Sequence, residues 1–542
     1  MSKFIFVVGG VMSGVGKGTT TAALGRVLLS KGYRVTAAKI DAYINVDAGT
    51  MNPTEHGEVF VTEDGDETDQ DIGSYERFLD TNIFSTNYMT TGRVYQSVID
   101  RERKLGYHGK CVEVVPDVPN EVIRRLENAA RKSRAEIVLV EVGGTVGEYQ
   151  NILFLEAARM MKLAHPGDVA FVLVSYLPVP HRLGEMKTKP TQYAARTLNA
   201  AGIQADFVVA RSEYALDEPR RQKMSVLCGV KPEDIIPSPD LDSVYEAPIH
   251  YDRERFGENV LKKLGLKARR RDLRDWSAMV TRHQSATTSL KIGVVGKYFS
   301  TGNFILSDVY FSVIEALKHT IGSMGRKPEL VWLNSEAYEK DPRKLKELSS
   351  FDGVLIPGGF GTRGVEGKIR AIEYVRTHRI PYFGLCYGMQ LAAVEFARNM
   401  CGLKGANTTE VDPKTPHPVI DILPEQAALT EQEKYGGTMR LGAYPCVLKP
   451  GSVAGRAYGQ PRISERHRHR YEFNNAYREG FAKKGMVASG TSPNGKLVEI
   501  IEIPKHPFFV GVQFHPEFLS RPLSPHPLFV AFAKAAMKRR GK

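Results

Sequence analysis

A charged and then Ser/Thr-rich stretch without a long apolar run, Leu266 to Leu290, divides the chain near its middle. A short apolar run opens each side of it, FIFVVGG near the N-terminus and KIGVVGKY from Lys291. A chain of 542 residues is also too long for one hydrophobic core. Helical and strand patterns alternate in both halves, which predicts α/β architecture with doubly wound, mainly parallel sheets. We therefore predict a first domain over residues 1–266, a linker over 267–290 and a second domain over 291–542.

The charge and the cysteine content limit the classes of function that this chain can have. The formal charge of +13 suits either nucleic acid or small polyanions such as nucleotides. The basic clusters are not interleaved with aromatic residues as in a single-strand binding surface, so we interpret most of them as solvated surface. Five widely spaced cysteines form neither a zinc pattern nor a disulfide framework, and no segment has the length of a membrane span. These features predict a cytoplasmic protein with no nucleic-acid or membrane partner.

Cys386 lies in the segment FGLCYGMQLAAVEFARN, between a buried-strand pattern and a helical pattern. A cysteine on such a turn has its sulfur at the positive end of a helix, where the thiolate is favoured. Gly384 and Gly388 flank it, and small neighbours relieve crowding on a strained turn that presents a nucleophile. Free cysteine is also among the most buried residue types, so Cys386 alone leaves both interpretations open.

Two further motifs favour the nucleophile. In FFVGVQFHPEF, an extended chain would place His515 and Glu517 on one side, so Glu517 could orient an imidazole that deprotonates Cys386. In DGVLIPGGFGTRG, paired glycines let backbone N–H groups approach a carbonyl oxygen. The N–H groups of Gly359 and Tyr387 are the candidate oxyanion donors.

The N-terminal segment VVGGVMSGVGKGTTT predicts a strand, a glycine-rich phosphate-binding turn and a helix beginning near Lys17. It departs from the usual GxxxxGK[ST] pattern at Val11 and at Gly18, where a magnesium-binding hydroxyl is expected. Magnesium is therefore predicted to be held by carboxylates elsewhere. The candidates are Glu141, at the end of a buried strand, and Asp71, in a loop rich in acids.

Lys39 and the run KTKPTQ add positive charge without acidic residues nearby in the sequence. Lysines so placed either lie at the surface or clamp a triphosphate, and the sequence alone slightly favours the surface.

Longer stretches resemble one family. KIDAYINVDAGTMNPTEHGEVFVTEDGDETDQDIGSYERF from Lys39, EVGGTVGE from Glu141, KTKPTQ and RHRHRYE are similar to the CTP synthase family, and the second half resembles a class I glutamine amidotransferase. The resemblance covers nearly the whole chain in the family's domain order. It implies that ATP phosphorylates O4 of UTP, and that ammonia from L-glutamine then displaces phosphate to give CTP.

The resemblance also implies residue roles, carried over by motif. Implied catalytic residues are Cys386, His515, Glu517, Lys17 and Lys39. Implied ATP-binding residues are Gly14, Val15, Gly16, Lys17, Gly18, Thr19, Asp71 and Asp240. Implied UTP- or CTP-binding residues are Ser13, Glu148, Tyr149, Gln150, Lys187, Thr188, Lys189, Pro190, Thr191, Gln192 and Lys223. Implied glutamine-binding residues are Gly359, Tyr387, Gln390, Glu410 and Arg470. Implied Mg²⁺ ligands are Asp71 and Glu141.

Regulation and assembly are implied in the same way. GTP would activate the glutaminase through Phe360, Arg363 and Arg440, and CTP would inhibit by sharing the UTP triphosphate site. His56 would gate an internal ammonia channel. The family commonly has Asp-Ile-Glu after GTVG, whereas Glu148 to Gln150 read EYQ here, which leaves the details of product inhibition open. The resemblance also implies a homotetramer with shared active sites and leaves filament formation open.

Three rival hypotheses remain to be weighed. An ATP-dependent amidotransferase acting on a carboxylate would share the glutaminase half, but KTKPTQ and TEDGDETDQD resemble the pyrimidine enzyme. A DNA-partition type ATPase would explain the basic charge and the unusual phosphate loop, but not the Cys/His/Glu set. A scaffold without turnover would not need intact catalytic positions.

Overall fold

The computed structural model describes residues 2–182, 184–297, 300–301, 304–305, 307–422 and 439–541. The chain forms two compact units, each built from two segments. The first unit comprises Met1–Ala48 and Asp71–Val280, and the second comprises Gly49–Gln70 and Thr281–Lys542. This grouping differs from the predicted division, because a short early segment belongs to the second unit and most of the predicted linker belongs to the first.

A sheet of seven parallel strands, counted over the described residues, forms the centre of the first unit in the order β5-β2-β6-β1-β7-β8-β9. Numbered along the whole chain, its strands are β1 Lys3–Gly10, β2 Val35–Asp41, β5 Tyr88–Thr90, β6 Ile137–Val142, β7 Val169–Tyr176, β8 Phe207–Ser212 and β9 Ile235–Pro239. Long apolar runs such as β6 are buried throughout, as a covered parallel sheet requires. In this sheet β2, β5 and β6 lie on one side of β1, and β7, β8 and β9 lie on the other. The strand order therefore reverses at β1, and α/β proteins commonly bind ligands at such a reversal.

The helices of the first unit connect these strands. They are α1 Lys17–Ser30, α3 Gln70–Leu79, α4 Thr91–Arg103, α5 Val114–Lys132, α6 Ile152–Ala164, α7 Lys189–Ala200, α8 Glu218–Cys228, α9 Ala247–Arg253, α10 Phe256–Lys263 and α11 Arg274–Gln284. Short 3-10 helices occupy Ser85–Asn87, Tyr149–Asn151, Pro232–Asp234 and Val244–Glu246. Helix α1 begins at Lys17, as predicted, after Gly16 with φ 92°.

The predicted linker is partly helical and partly buried. Helix α11 lies within it, and Trp276 on this helix is fully buried, where its indole N–H donates to the Tyr245 carbonyl at 2.8 Å. The Phe78 ring packs 5.3 Å from the indole. A tryptophan fixed in this way explains why residues up to 280 belong to the first unit.

A sheet of nine strands, again counted over the described residues, forms the centre of the second unit in the order β13-β10-β14-β15-β23-β22-β21-β18-β19. The first five of these strands are parallel and the last four pair antiparallel. The strands of the unit are β3 Val59–Val61, β4 Glu67–Asp69, β10 Ser289–Gly296, β11 Ser300–Thr301, β12 Phe304–Ile305, β13 Lys327–Asn334, β14 Gly353–Ile356, β15 Tyr382–Leu385, β16 Asn407–Thr408, β17 Pro418–Ile422, β18 Arg440–Leu448, β19 Arg462–His469, β20 Tyr471–Phe473, β21 Val487–Thr491, β22 Val498–Glu502 and β23 Phe509–Val512. The predicted α/β class is confirmed, with an antiparallel extension that the sequence did not indicate.

The helices of the second unit are α2 Pro53–His56, α12 Phe311–Ser323, α13 Ser335–Lys340, α14 Val365–Thr377, α15 Tyr387–Asn399, α16 Val453–Tyr458, α17 Arg478–Lys484 and α18 Pro527–Arg540. Short 3-10 helices occupy Ser307–Tyr310, Pro342–Ser350, Asn475–Tyr477 and Pro516–Leu519. In the part of the chain that is described, no helix combines the length and the apolar character needed to cross a membrane.

The hairpin of β3 and β4 is held in the second unit by arginines of β19. Arg466 is fully buried and donates to the Val61 carbonyl at 3.1 Å and to the Glu63 carboxylate at 3.2 Å. Arg468 donates to the Glu67 carboxylate at 2.8 Å. The basic run RHRHR is therefore largely buried, and it is an exception to the prediction that most basic clusters are solvated surface.

Candidate active sites

The Cys386 turn joins β15 to α15 in a strained conformation. Cys386 has φ 46° and ψ −99°, a region that side-chain-bearing residues rarely adopt. A Cβ on Gly384 would lie 2.8 Å from the Gly388 carbonyl carbon, and one on Gly388 would lie 2.3 Å from the Ile356 oxygen. Both glycines are therefore required for the turn to close. Such strain is typical of functional turns that present one side chain.

His515 and Glu517 form the pair that the sequence predicts. His515 Nδ1 lies 2.7 Å from Glu517 Oε1, and both side chains are largely buried. The predicted extended conformation is wrong, because β23 ends at Val512 and Glu517 lies in the 3-10 helix Pro516–Leu519. The pairing forms through that turn instead.

His515 faces the same glycine as Cys386. A Cβ on Gly358 would lie 2.9 Å from His515 Cε1 and 3.7 Å from Cys386 Cβ. Burial lowers the pKa of His515, but the Glu517 carboxylate and the Cys386 thiol outweigh burial and raise this pKa to about 10. An imidazolium beside the sulfur favours the thiolate, which is the nucleophilic form.

A cavity of about 700 Å³ opens above this group. It gathers most of the predicted glutaminase residues, and its lining includes Cys386, His515, Glu517, Gly359, Phe360, Gln390, Glu410 and Arg470. Four residues from the early segment, Gly49 to Asn52, also line the cavity. The volume and the mixture of charged and amide side chains suit a small polar amide substrate.

Two of these residues are fixed by hydrogen bonds to backbone groups. Gln390 donates to the Tyr471 carbonyl at 3.0 Å, and the Glu410 carboxylate accepts from the Gly361 N–H at 2.6 Å. Burial raises the pKa of Glu410, although that N–H and two nearby lysines oppose the shift. The Tyr387 hydroxyl donates to the Gly361 carbonyl at 2.8 Å. This bond ties Tyr387, the first residue of α15, to the loop after β14 that carries Gly359.

Two groups that the sequence did not single out approach the sulfur. The Arg468 carbonyl lies 3.9 Å from Cys386 Sγ, and Gln513 Nε2 lies 3.7 Å from it. Gln513 stands two residues before His515, so strand alternation could have indicated that it faces the same way. Arg468 carried no such signal, because its run resembled exposed basic surface.

The phosphate-loop site of the first unit is organised around Lys39. The ammonium group of Lys39 contacts the Asp71 carboxylate, lies 3.0 Å from Glu141 Oε1 and lies 3.6 Å from Asp41 Oδ1. Lys39 is only 5% exposed, so the preferred surface interpretation of this lysine is wrong. Three carboxylates around one buried lysine form a polar centre rather than a solvated face.

Asp71 lies where the missing hydroxyl would have been. A Cβ on Gly18 would lie 2.2 Å from Asp71 Oδ1, so glycine leaves room for that carboxylate. Glu141 is buried and accepts a short hydrogen bond from the Tyr75 hydroxyl. Burial raises the pKa of Glu141, and the neighbouring Asp71 raises it further. The two predicted magnesium ligands thus share one centre, in which a cation would relieve their mutual repulsion.

Lys17 and the rest of the loop complete this site. Lys17 donates to the Gly144 carbonyl at 2.8 Å, and burial lowers its pKa. A cavity of about 160 Å³ is lined by Gly16, Thr19 and Asp240, which joins the loop to the predicted adenine end. The Asp240 carboxylate accepts from Arg211 at 3.0 Å. Gly14 has φ 70° in the same loop, and Val15 is buried beside it.

The predicted UTP residues occupy several separate elements of the first unit. Thr188 is buried and accepts from Gln192 Nε2 at 3.0 Å, at the start of α7. Lys187 pairs with Glu185 at 2.5 Å, and Tyr149 is 94% exposed. Lys187 and Lys223 lie near the same carboxylate, because a hydrogen bond from Lys187 and the charge of Lys223 both lower the pKa of Glu185. No hydrogen bond or ion pair among the described residues links this pair to Ser13 or to the Glu148–Gln150 turn. Their common site therefore stays a prediction, which includes Lys189, Pro190 and Thr191.

Two of the three predicted effector residues are linked through Lys297, which donates to the Phe360 carbonyl and whose own carbonyl accepts from Arg363. Phe360 is half exposed and borders the cavity, and Arg363 pairs with Glu336 at 2.8 Å. Arg440 is buried, at 2.8 Å from Glu499 and 3.1 Å from Glu472, and its role toward an effector stays a prediction.

The predicted gate residue, His56, ends α2 in the second unit. Its Nε2 lies 3.5 Å from Asp69 Oδ2 on β4.

Comparisons with known proteins match both halves of the chain. The family described as CTP synthase N-terminus matches residues 3–266, and the family described as glutamine amidotransferase class-I matches residues 305–535. The CTP synthase of Carboxydothermus hydrogenoformans is 50% identical over 539 residues, which covers 99% of each chain. That of Pelotomaculum thermopropionicum is 51% identical over 541 residues, again with 99% of each chain covered.

Among solved structures, the glutaminase domain of Trypanosoma brucei CTPS with bound acivicin is similar to part of this chain. It shares 36% sequence identity, with a TM-score of 0.42, and covers 46% of this chain and 94% of that domain.

Proposed function

The chain belongs to the CTP synthase family and is a glutamine-dependent, CTP-forming ligase, and on this basis we propose a two-site mechanism for its residues. ATP phosphorylates O4 of UTP at the phosphate-loop site, ammonia is released from glutamine at Cys386, and ammonia then displaces the phosphate at C4. A carbonyl oxygen is a poor leaving group until it carries a phosphoryl group, which is why ATP is needed.

The glutaminase half reaction uses the Cys386, His515 and Glu517 set. The Cys386 thiolate attacks the amide carbon, a C–S bond forms, and the carbonyl π pair moves onto oxygen. The N–H groups of Gly359 and Tyr387 receive that charge. When the oxygen re-forms the carbonyl, the C–N bond breaks and the His515 imidazolium gives its proton to the leaving nitrogen. Water then hydrolyses the thioester to glutamate, with His515 accepting a proton.

The cavity supports glutamine as the substrate. Glu410 and Arg470 both line it, and one carboxylate and one guanidinium match the ammonium and carboxylate of a free amino acid. Gln390 is held in place by its bond to the Tyr471 carbonyl and supplies a further amide.

The ligase half reaction is assigned to the first unit. The backbone N–H groups of the loop and the N-terminus of α1 cradle the ATP phosphates, and Lys17 and Lys39 stabilise the transferring phosphoryl group. Asp240 borders the end of the loop cavity and would lie near the adenine. The predicted UTP residues complete the proposal.

The carboxylates at this site fit a magnesium ion. Asp71 and Glu141 offer hard oxygen ligands. Burial raises the pKa of Glu141, and a bound divalent cation would lower that pKa again. When bound, Mg²⁺ offsets the charge that builds on the transferring phosphoryl group. Lys39 already bridges the two carboxylates and would keep them oriented.

Regulation, assembly and location are further parts of the proposal. We propose that ammonia is handed between the sites without release, with His56 as its gate, that GTP activates, and that CTP inhibits at the UTP triphosphate site. We also propose a cytoplasmic homotetramer.

One observation supports the phosphorylation step most strongly: Asp71 and Glu141 meet at Lys39 beside a phosphate loop whose Gly18 makes room for Asp71. The test uses UTP labelled with ¹⁸O at O4, ATP, magnesium and ammonium. The proposal predicts that the label appears in inorganic phosphate. CTP formed with the label entirely in water would overturn it.

A further inference from the structure

Lys368 is a fully buried lysine whose ammonium group has no hydrogen-bond partner among the residues that the structure describes. It is the fourth residue of α14, in the second unit. A buried amine without a hydrogen bond costs free energy in the folded state, because it loses its hydration and makes no hydrogen bond in return. Such a group therefore needs a functional explanation.

The position of the ammonium group supplies one. Its Nζ lies 3.8 Å from the point that a Cβ on Gly359 would occupy, and 5.3 Å from the centre of the Tyr387 ring. These two residues carry the backbone N–H groups that we assign to the oxyanion. The Tyr387 hydroxyl is bound to the Gly361 carbonyl, so ring and turn are connected. The ammonium group is thus buried close to both residues that carry these donors.

Two other charged groups face the loop that carries Gly359 to Gly361, and both are hydrogen-bonded to it. Lys297 donates to the Phe360 carbonyl, and Glu410 accepts from the Gly361 N–H at 2.6 Å. Lys368 differs from them because its charge makes no such bond. Lys368 therefore acts on this loop through its electric field rather than through a hydrogen bond.

We propose that Lys368 is a positioning residue of the glutaminase, whose buried ammonium charge stabilises the negative charge that develops on the substrate amide oxygen when Cys386 attacks. The inference rests on the proposed glutaminase function. A fixed charge in a site that excludes water acts strongly on a developing charge and needs no reorganisation during the reaction. The charge on oxygen is present from the formation of the C–S bond until the C–N bond breaks.

The inference predicts a characteristic pH dependence. Burial and the charge of Lys297 together lower the pKa of Lys368 to about 7, although Glu410 opposes the shift. The ammonium charge is therefore lost as the pH rises through about 7. The rate advantage that this residue provides should fall over the same range.

The test is Lys368→Met in the full-length protein, which removes the charge and keeps a side chain of similar length. Glutamate release is measured with saturating ATP and UTP. We expect kcat to fall about tenfold, less than the loss caused by removing an oxyanion donor outright, with KM changed less than twofold. The thermal midpoint should stay or rise, because the unpaired buried amine is gone. Lys346→Met is the matched control, because Lys346 is exposed on the 3-10 helix Pro342–Ser350, and it should change nothing.

A pH series separates this role from a merely structural one. The ratio of wild-type to Lys368→Met kcat should fall between pH 6 and pH 8.5. Lys297 and Glu410 titrate in both proteins, but their charges act on Lys368, so the midpoint of the fall in the ratio belongs to this coupled group and not to Lys368 alone. CTP formation from ammonium, measured on the same samples, should be equal.

Several outcomes would overturn the inference. These are a kcat within twofold of wild type, a ratio that does not depend on pH, or a kcat loss accompanied by a lower thermal midpoint. Failure of the proposed function looks different, because the wild type itself would then release no glutamate.

Discussion

Restoring an ordinary phosphate-loop hydroxyl, by Gly18→Ser, should inactivate the ligase site. A Cβ there would lie 2.2 Å from Asp71 Oδ1 and 2.9 Å from Asp71 Cγ, so the carboxylate must move away. The move breaks its charged hydrogen bond to Lys39, worth about 1.5–3 kcal/mol. Crowding of a packed site adds about 1–3 kcal/mol. If about 3 kcal/mol of this is lost at the transition state, the rate falls about 100-fold.

The assay follows CTP formation from UTP, ATP, magnesium and ammonium, which bypasses Cys386. Gly167→Ser is the control, because a Cβ at Gly167 meets no heavy atom within 4 Å and should leave the rate unchanged. Glutamine hydrolysis by Gly18→Ser should persist, since Cys386 lies in the other unit. A Gly18→Ser rate above a third of the wild-type rate would refute the assignment of Asp71 to this site.

Three further predictions concern the second unit. Glu67→Gln weakens the 2.8 Å hydrogen bond to Arg468, whose carbonyl faces the Cys386 sulfur. It should raise the KM for glutamine about tenfold and leave CTP formation from ammonium unchanged, which steady-state kinetics with each nitrogen source checks. Arg440→Met removes the only arginine paired with the buried carboxylates Glu472 and Glu499 among the described residues and should lower the unfolding free energy by about 3–5 kcal/mol; a denaturation midpoint equal to that of the wild type would contradict it. Glu517→Gln removes the charge that raises the pKa of His515 to about 10, so the alkaline limb of glutamine hydrolysis should move to lower pH, and an unmoved limb would count against the pair.

Local signals in the sequence predicted where several residues of the candidate sites lie. Cys386 between two glycines, the phosphate loop before Lys17 and the acid at the end of β6 each follow from a strand that ends in a turn. Such motifs are short, and their geometry depends on neighbours in sequence. Gly18 is one example. Its lack of a hydroxyl predicted that carboxylates elsewhere hold magnesium, and the Asp71 carboxylate lies directly over this glycine.

Long-range packing was not predictable in the same way. Residues 49–70 pack in the second unit through buried arginines. The sequence of a basic run does not show which of its arginines are buried and which are exposed to solvent. Lys368 shows the same limit, because a lysine in an amphipathic helix is expected at the surface. Gln513 is an intermediate case, since strand alternation from His515 could have placed it near the sulfur.

The central claim is that one chain makes ammonia at Cys386 and uses it at a separate phosphate-loop site. The most direct test measures conversion of UTP to CTP with ATP and magnesium, in the wild type and in Cys386→Ala, with either glutamine or ammonium. The account predicts that Cys386→Ala fails on glutamine and matches the wild type on ammonium. Loss of CTP formation from both nitrogen sources in a folded Cys386→Ala protein would contradict it.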